Sequence, residues 1–139
     1  MIMVIKITGE FGTIMLDETV IRSVKTIVTS PHSSNARGNQ LSIGLSVKGI
    51  IPAVRENEEN PILELVKWSV MSFGERCCFA DIQLDCLENG VTVRSVYMPK
   101  AYILTYREYF DGTTDDGTFD VLFRVARNAV DNQICMGAF

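Results

Sequence analysis

Histidine is almost missing from this chain: His32 is the only one among 139 residues. A site needing two histidines, whether a metal centre or an acid–base pair, has no raw material within one copy. Long apolar runs are missing too. No window approaches the roughly 18–20 apolar residues of a membrane-spanning helix, so membrane insertion is not expected. Cations never gather into a run; the 13 Lys and Arg stand singly against 17 Asp and Glu, for a net charge of −4. Nucleic acid is accordingly a poor partner. The glycines form neither a GxGxxG turn nor a Walker loop, and no GxSxG elbow occurs. No cofactor, no metal and no catalytic residue is expected from these motifs, and enzymatic activity is not expected.

What is present is the composition of one folded domain. At 139 residues, 47% of them hydrophobic and 22% charged, the chain can bury a single sizeable core, and a second domain is not expected over residues 1–139. The first residues, MIMVIKITGEFG, lack a basic start and a cleavage site, and read as a strand instead of a signal peptide. A cytoplasmic protein is the expectation. Cys77, Cys78, Cys86 and Cys135 are then free thiols. Adjacent Cys77 and Cys78 would point to opposite faces of a strand, the wrong geometry for a shared metal or a redox pair.

Strand patterning dominates. Ile2 to Thr8 and Thr13 to Leu16 come first, then a run rich in β-branched residues from Thr19 to Thr29. Ser30 to Asn39, SPHSSNARGN, is a polar loop longer than a hairpin needs, and it holds His32. Gln40 to Gly49 alternates, with Leu41, Ile43, Leu45 and Val47 inward. Asn60 followed by Pro61 marks a helix start, and Ile62, Leu65, Val66 and Phe73 give it one apolar stripe as it runs to about Met71. Trp68 is expected in the core beneath it. Strands at Cys77 to Asp85 and Val91 to Met98 flank an Asn89-Gly90 turn.

The last third is the most regular. AYILTYREYFD (Ala101 to Asp111) and TFDVLFRVAR (Thr118 to Arg127) flank GTTDDG as the arms of a long hairpin. Strict alternation would put Tyr102, Leu104, Tyr106, Glu108 and Phe110 on one face, and Phe119, Val121, Phe123 and Val125 on one face of the second arm. Asp111, Asp115, Asp116 and Asp120 could present oxygens to a hard cation, but their spacing matches no EF-hand and reads as a solvated acidic turn. Glu56, Glu58 and Glu59 precede the helix and favour its positive end. Many short strands around one interior helix predict a mainly β fold, a small antiparallel β-barrel with one α-helix.

Three stretches resemble the haemolysin-coregulated protein (Hcp) family, the tube subunits of type VI secretion, and the related tail-tube proteins of contractile injection systems. SSNARGNQLSIGLSV (Ser33 to Val47) is similar to the family's long loop entering an alternating strand. NPILELVKWSV (Asn60 to Val70) is similar to its single helix, and PKAYILTYREYFDG with GTFDVLFRVAR (Pro99 to Arg127) to its final strands. The resemblance implies a non-catalytic subunit that assembles with itself into a ring of six, the rings stacking into a hollow tube. Its implied partners are other copies of the chain, secreted effectors in the lumen, and sheath or spike proteins, and it implies non-classical secretion through the apparatus. It also gives the polar loop, with Ser33, Ser34, Asn35, Arg37 and Gly38, the role of contacting the next ring. The residues alone leave two alternatives open: a monomeric small barrel that binds a ligand or protein, and a hydrolase or metal enzyme, against which the lone histidine counts.

Overall fold

The computed structural model describes residues 1–29, 42–71, 78–113 and 116–125, together with the backbone of 135–137. Its elements run β1 (Ile2–Gly9), β2 (Gly12–Leu16), β3 (Ile21–Thr29), β4 (Ser42–Ile51), α1 (Pro61–Ser69), β5 (Ala80–Glu88), β6 (Val91–Tyr109), β7 (Gly117–Val125) and β8 (Cys135–Gly137). All pairings are antiparallel, in one sheet of order β2-β1-β5-β6-β7-β4-β3, with β8 laid against β6. Among the described residues no helix is long and apolar enough to cross a membrane.

Alternation decides which side of the sheet faces the core. Along β7, Phe119, Val121, Phe123 and Val125 are all buried, as their period of two requires, and Ile43, Leu45 and Val47 do the same on β4. Ile5 and Ile7 of β1, Ile14 and Leu16 of β2, and Ile82 and Leu84 of β5 complete one continuous core from both halves of the sheet. Helix α1 begins where the Asn60 side chain accepts the Leu63 N–H at 3.1 Å and Pro61 occupies the first turn. It buries Ile62, Leu65 and Trp68, and ends at Ser69, two residues short of the expected Met71. Trp68 lies between Phe11 and Phe123, with ring centroids 5.3 and 5.7 Å away. Phe73 lies outside the described residues.

The two strands expected at Val91 to Met98 and from Ala101 are one strand of 19 residues, β6. Pro99 does not end it, because a bulge sets Pro99 and Lys100 opposite Asp81, where a residue without an N–H is tolerated. Lys100 takes a left-handed backbone (φ 50°), and its N–H reaches the Asp81 Oδ1 at 3.2 Å. Before this kink β6 pairs with β5 and β8; beyond it β6 pairs with β7. One bent strand thus carries both halves of the sheet. A second bulge, at Leu104, reverses the side-chain phase, so Ile103, Tyr106 and Glu108 share the core-side parity while Tyr102 turns outward. The single face expected for Tyr102, Tyr106 and Glu108 is corrected by that inserted residue.

The mainly β fold with one helix is present, but the sheet is not a closed barrel. Among the described residues no ladder joins its end strands β2 and β3. The chain passes between them through a turn whose backbone groups are already engaged: Asp17 O accepts from Val20 N and Ile21 N, and Val20 O accepts from Ile50 N at 2.9 Å. That turn also trims β3, which begins at Ile21 instead of Thr19. The short strand β8 carried no readable pattern in the sequence.

Candidate assembly surfaces

The half-sheet β3-β4-β7-β6 has its apolar side on the core and a polar side turned outward. Register lines the outward residues up across all four strands. One row runs Ser23, Lys48, Asp120, Arg107; the next Lys25, Ser46, Leu122, Thr105; the third Ile27, Gly44, Arg124, Tyr102. The first two rows line a groove of about 570 Å³. Arg107 Nη2 stands 3.6 Å from Asp120 Oδ2, a pair open to water and so worth little in stability. Arg124 is half-buried, and its Nε is buried with no acceptor among the described residues.

Both edges of this half-sheet are bare among the described residues. β3 pairs only with β4, and Ile27 and Val28 are exposed along it. On the β5 side of β6 the ladder stops at Ala80 and Ala101, leaving the chain from Tyr102 to Tyr109 without a neighbouring strand. Leu104 and Tyr109 are 44% and 66% exposed there, and Phe110 follows at 65%. Exposed strand edges are templates for pairing with another chain. A smaller groove, about 290 Å³, separates the β2 edge from the start of α1 and is lined by Thr13, Met15, Glu59, Asn60 and Glu64.

The residues singled out in the sequence go to several places. Ser33, Ser34, Asn35, Arg37 and Gly38 lie outside the described residues, as do His32, Cys77 and Asp115. Asp111 caps its own turn, accepting from Thr113 N at 3.0 Å and Thr113 Oγ1 at 2.8 Å, and these bonds hold its carboxyl below the usual range. Asp120 faces Arg107 on the sheet, so these two carboxylates serve different neighbours. Cys78 is a buried free thiol and Cys86 a half-buried one, whose ionisation burial pushes up, with the Asp85 charge adding to it. Tyr106 donates to Glu108 Oε1 at 2.6 Å; burial first, then that bond and charge, raises its phenol above the ordinary tyrosine range. The outward rows and the bare edges escaped the sequence reading. Their signal was the small polar set Ser42, Gly44, Ser46 and Lys48 opposite the apolar set of β4, which marks a solvated face but names no partner strand.

No family model matches the chain, and no curated protein matches it in sequence. Solved structures do. An Hcp1 structure from Flavobacterium johnsoniae aligns over 98% of this chain and 96% of its own at 12% identity, with a TM-score of 0.52. The fold is the Hcp fold. A crystal structure of an Hcp protein aligns over 100% and 99% at 14% identity and a TM-score of 0.54. A chain of the sheath-tube complex of an extracellular contractile injection system, in its extended state, aligns over 99% and 88% at 15% identity and 0.55. The Hcp-like architecture is thus shared end to end.

Proposed function

We propose that this Hcp-like chain is a structural tube subunit, forming rings that stack into the tube of a type VI or related contractile injection apparatus. The observation that carries the reading is the half-sheet β3-β4-β7-β6, whose two edges are bare among the described residues, in a fold shared over its whole length with Hcp and injection-system structures. Four antiparallel strands alternate in direction, so β3 and β6 run oppositely. Setting the β3 edge of one copy beside the β6 edge of the next therefore continues the antiparallel alternation with every copy in the same orientation. Such a head-to-tail contact closes into a ring when the rotation permits. The outward polar rows then face the channel. Six copies per ring is taken from the Hcp likeness. In this reading the chain is a scaffold without catalysis, made in the cytoplasm and leaving it through the apparatus.

The test is the mass of the purified protein by light scattering, followed by negative-stain imaging of the same sample. Rings with a central hole are expected; a monomer at high concentration returns the chain to a small ligand- or protein-binding module. The loop residues Ser33, Ser34, Asn35, Arg37 and Gly38 are proposed to contact the next ring. Arg37→Glu should shorten or abolish tubes while the ring mass stays, and tubes of unchanged length would remove the loop from that role.

A further inference from the structure

Charge is segregated in this molecule. The chain is acidic overall, at −4, yet the outward rows of β3-β4-β7-β6 carry Lys25, Lys48, Arg107 and Arg124 against the single carboxylate of Asp120. Asp120 already faces Arg107. Among the described residues, Lys25 and Lys48 have no carboxylate in ion-pair range, and Arg124 Nε is buried without an acceptor. An arriving carboxylate would meet the exposed Lys25 and Lys48 ammonium groups in charge-assisted hydrogen bonds.

We propose that this face is a docking surface for an acidic polypeptide segment. In the tube reading, on which its location in the channel rests, the passenger is thus an acidic protein, and each ring repeats the basic rows around it. The groove is about 570 Å³, lined by hydroxyls (Ser23, Ser46, Thr105) and by the apolar side chains of Ile27 and Leu122 among the cations. Such a mixture suits carboxylate and aliphatic side chains arriving together. It suits a nucleic acid less well. Among the described residues no aromatic ring lines the groove to stack a base. Sign complementarity acts mainly on recognition and on encounter rate, and salt weakens it.

The experiment is binding of fluorescently labelled poly-L-glutamate to the full chain, followed by anisotropy at low and high salt. Wild type should bind at low salt and release the probe at high salt. Lys25→Glu with Lys48→Glu should weaken binding about tenfold or more, a loss of about 1.4 kcal/mol or more. The milder Lys25→Gln with Lys48→Gln should weaken it in the same direction, guarding against a misfolded reversal variant. Lys6→Glu with Lys67→Glu, an equal charge change elsewhere, should leave binding intact. Absence of wild-type binding, equal loss in the Lys6 and Lys67 variant, or an oligothymidylate binding as tightly as polyglutamate would each overturn the proposal. Light scattering on the same samples keeps the two readings apart: a monomer that binds retires the tube and keeps this face, and a ring that does not bind does the reverse.

Discussion

Trp68 donates its indole N–H to the Cys78 carbonyl at 2.8 Å, tying the last turn of α1 to the chain just ahead of β5. The bond is buried, and the same ring stacks on Phe123 of β7, so one side chain joins the helix to both halves of the sheet. Trp68→Phe keeps an aromatic ring but strands the carbonyl and leaves a small void. A loss of about 1–3 kcal/mol is expected from the unmade bond, and Trp68→Ala should cost about 3–5 kcal/mol. Urea unfolding checks both, with an unchanged slope for the Phe variant.

Gly49 marks where β4 meets the turn between β2 and β3. A Cβ there would collide with the Val20 carbonyl oxygen and come 2.7 Å from the Phe119 ring. Neither can withdraw cheaply, since Val20 O accepts the Ile50 N–H and Phe119 is core. Gly49→Ala should therefore destabilise by about 1–3 kcal/mol or more, as overpacked cores do. At Gly112 nothing lies within 4 Å of an added Cβ, so Gly112→Ala should change the thermal midpoint little. Equal midpoints for the two variants would contradict this packing account.

Gly49 also shows where sequence reading reached its limit. Period-two alternation is a local signal, so the buried sets of β4 and β7 and the one helix were legible, down to the Asn60 cap and Trp68 in the core. Bulges are single-residue insertions whose cause lies on the partner strand, and those at Lys100 and Leu104 therefore overturned phase and merged two strands into one. Closure failed for a similar reason: whether β2 meets β3 depends on the hydrogen bonds of the Asp17 to Val20 turn, which no periodicity reports. The Hcp-like order of elements was readable because it is a property of the whole chain. The charged face was not, because Lys25, Lys48, Arg107 and Arg124 are far apart in sequence and meet only through register.

The turn between β5 and β6 gives a cleaner local test. Asn89 and Gly90 have φ of 53° and 78°, the pair of positive values that a two-residue type I′ hairpin demands. Gly90 tolerates this freely, whereas a side chain does not. Gly90→Ala should cost about 1–2 kcal/mol, the strain of a left-handed residue, although open space surrounds its Cβ position. Asn89→Gly should be neutral or slightly stabilising. Thermal melts of the two variants separate backbone strain from crowding, because crowding predicts no loss at either position.

Asp17 contributes to the acid side of stability. Its Oδ1 accepts from Thr19 N at 2.9 Å and from the Thr19 hydroxyl, the hydroxyl bond being the larger influence, and together they hold the carboxyl below its ordinary value. A carboxyl depressed in the folded state contributes stability that is fully present above its unfolded value, roughly pH 4, and is lost as pH falls through the folded one. The group is exposed, so solvent screening keeps the contribution to a fraction of about 1 kcal/mol. Asp17→Asn preserves the acceptor oxygen and removes only the titration. The variant should be slightly less stable than wild type near neutrality, and the difference should vanish as both are titrated below the folded value. Parallel stability curves for the two proteins from neutral to strongly acid pH would show that the turn between β2 and β3 is held by its backbone bonds alone.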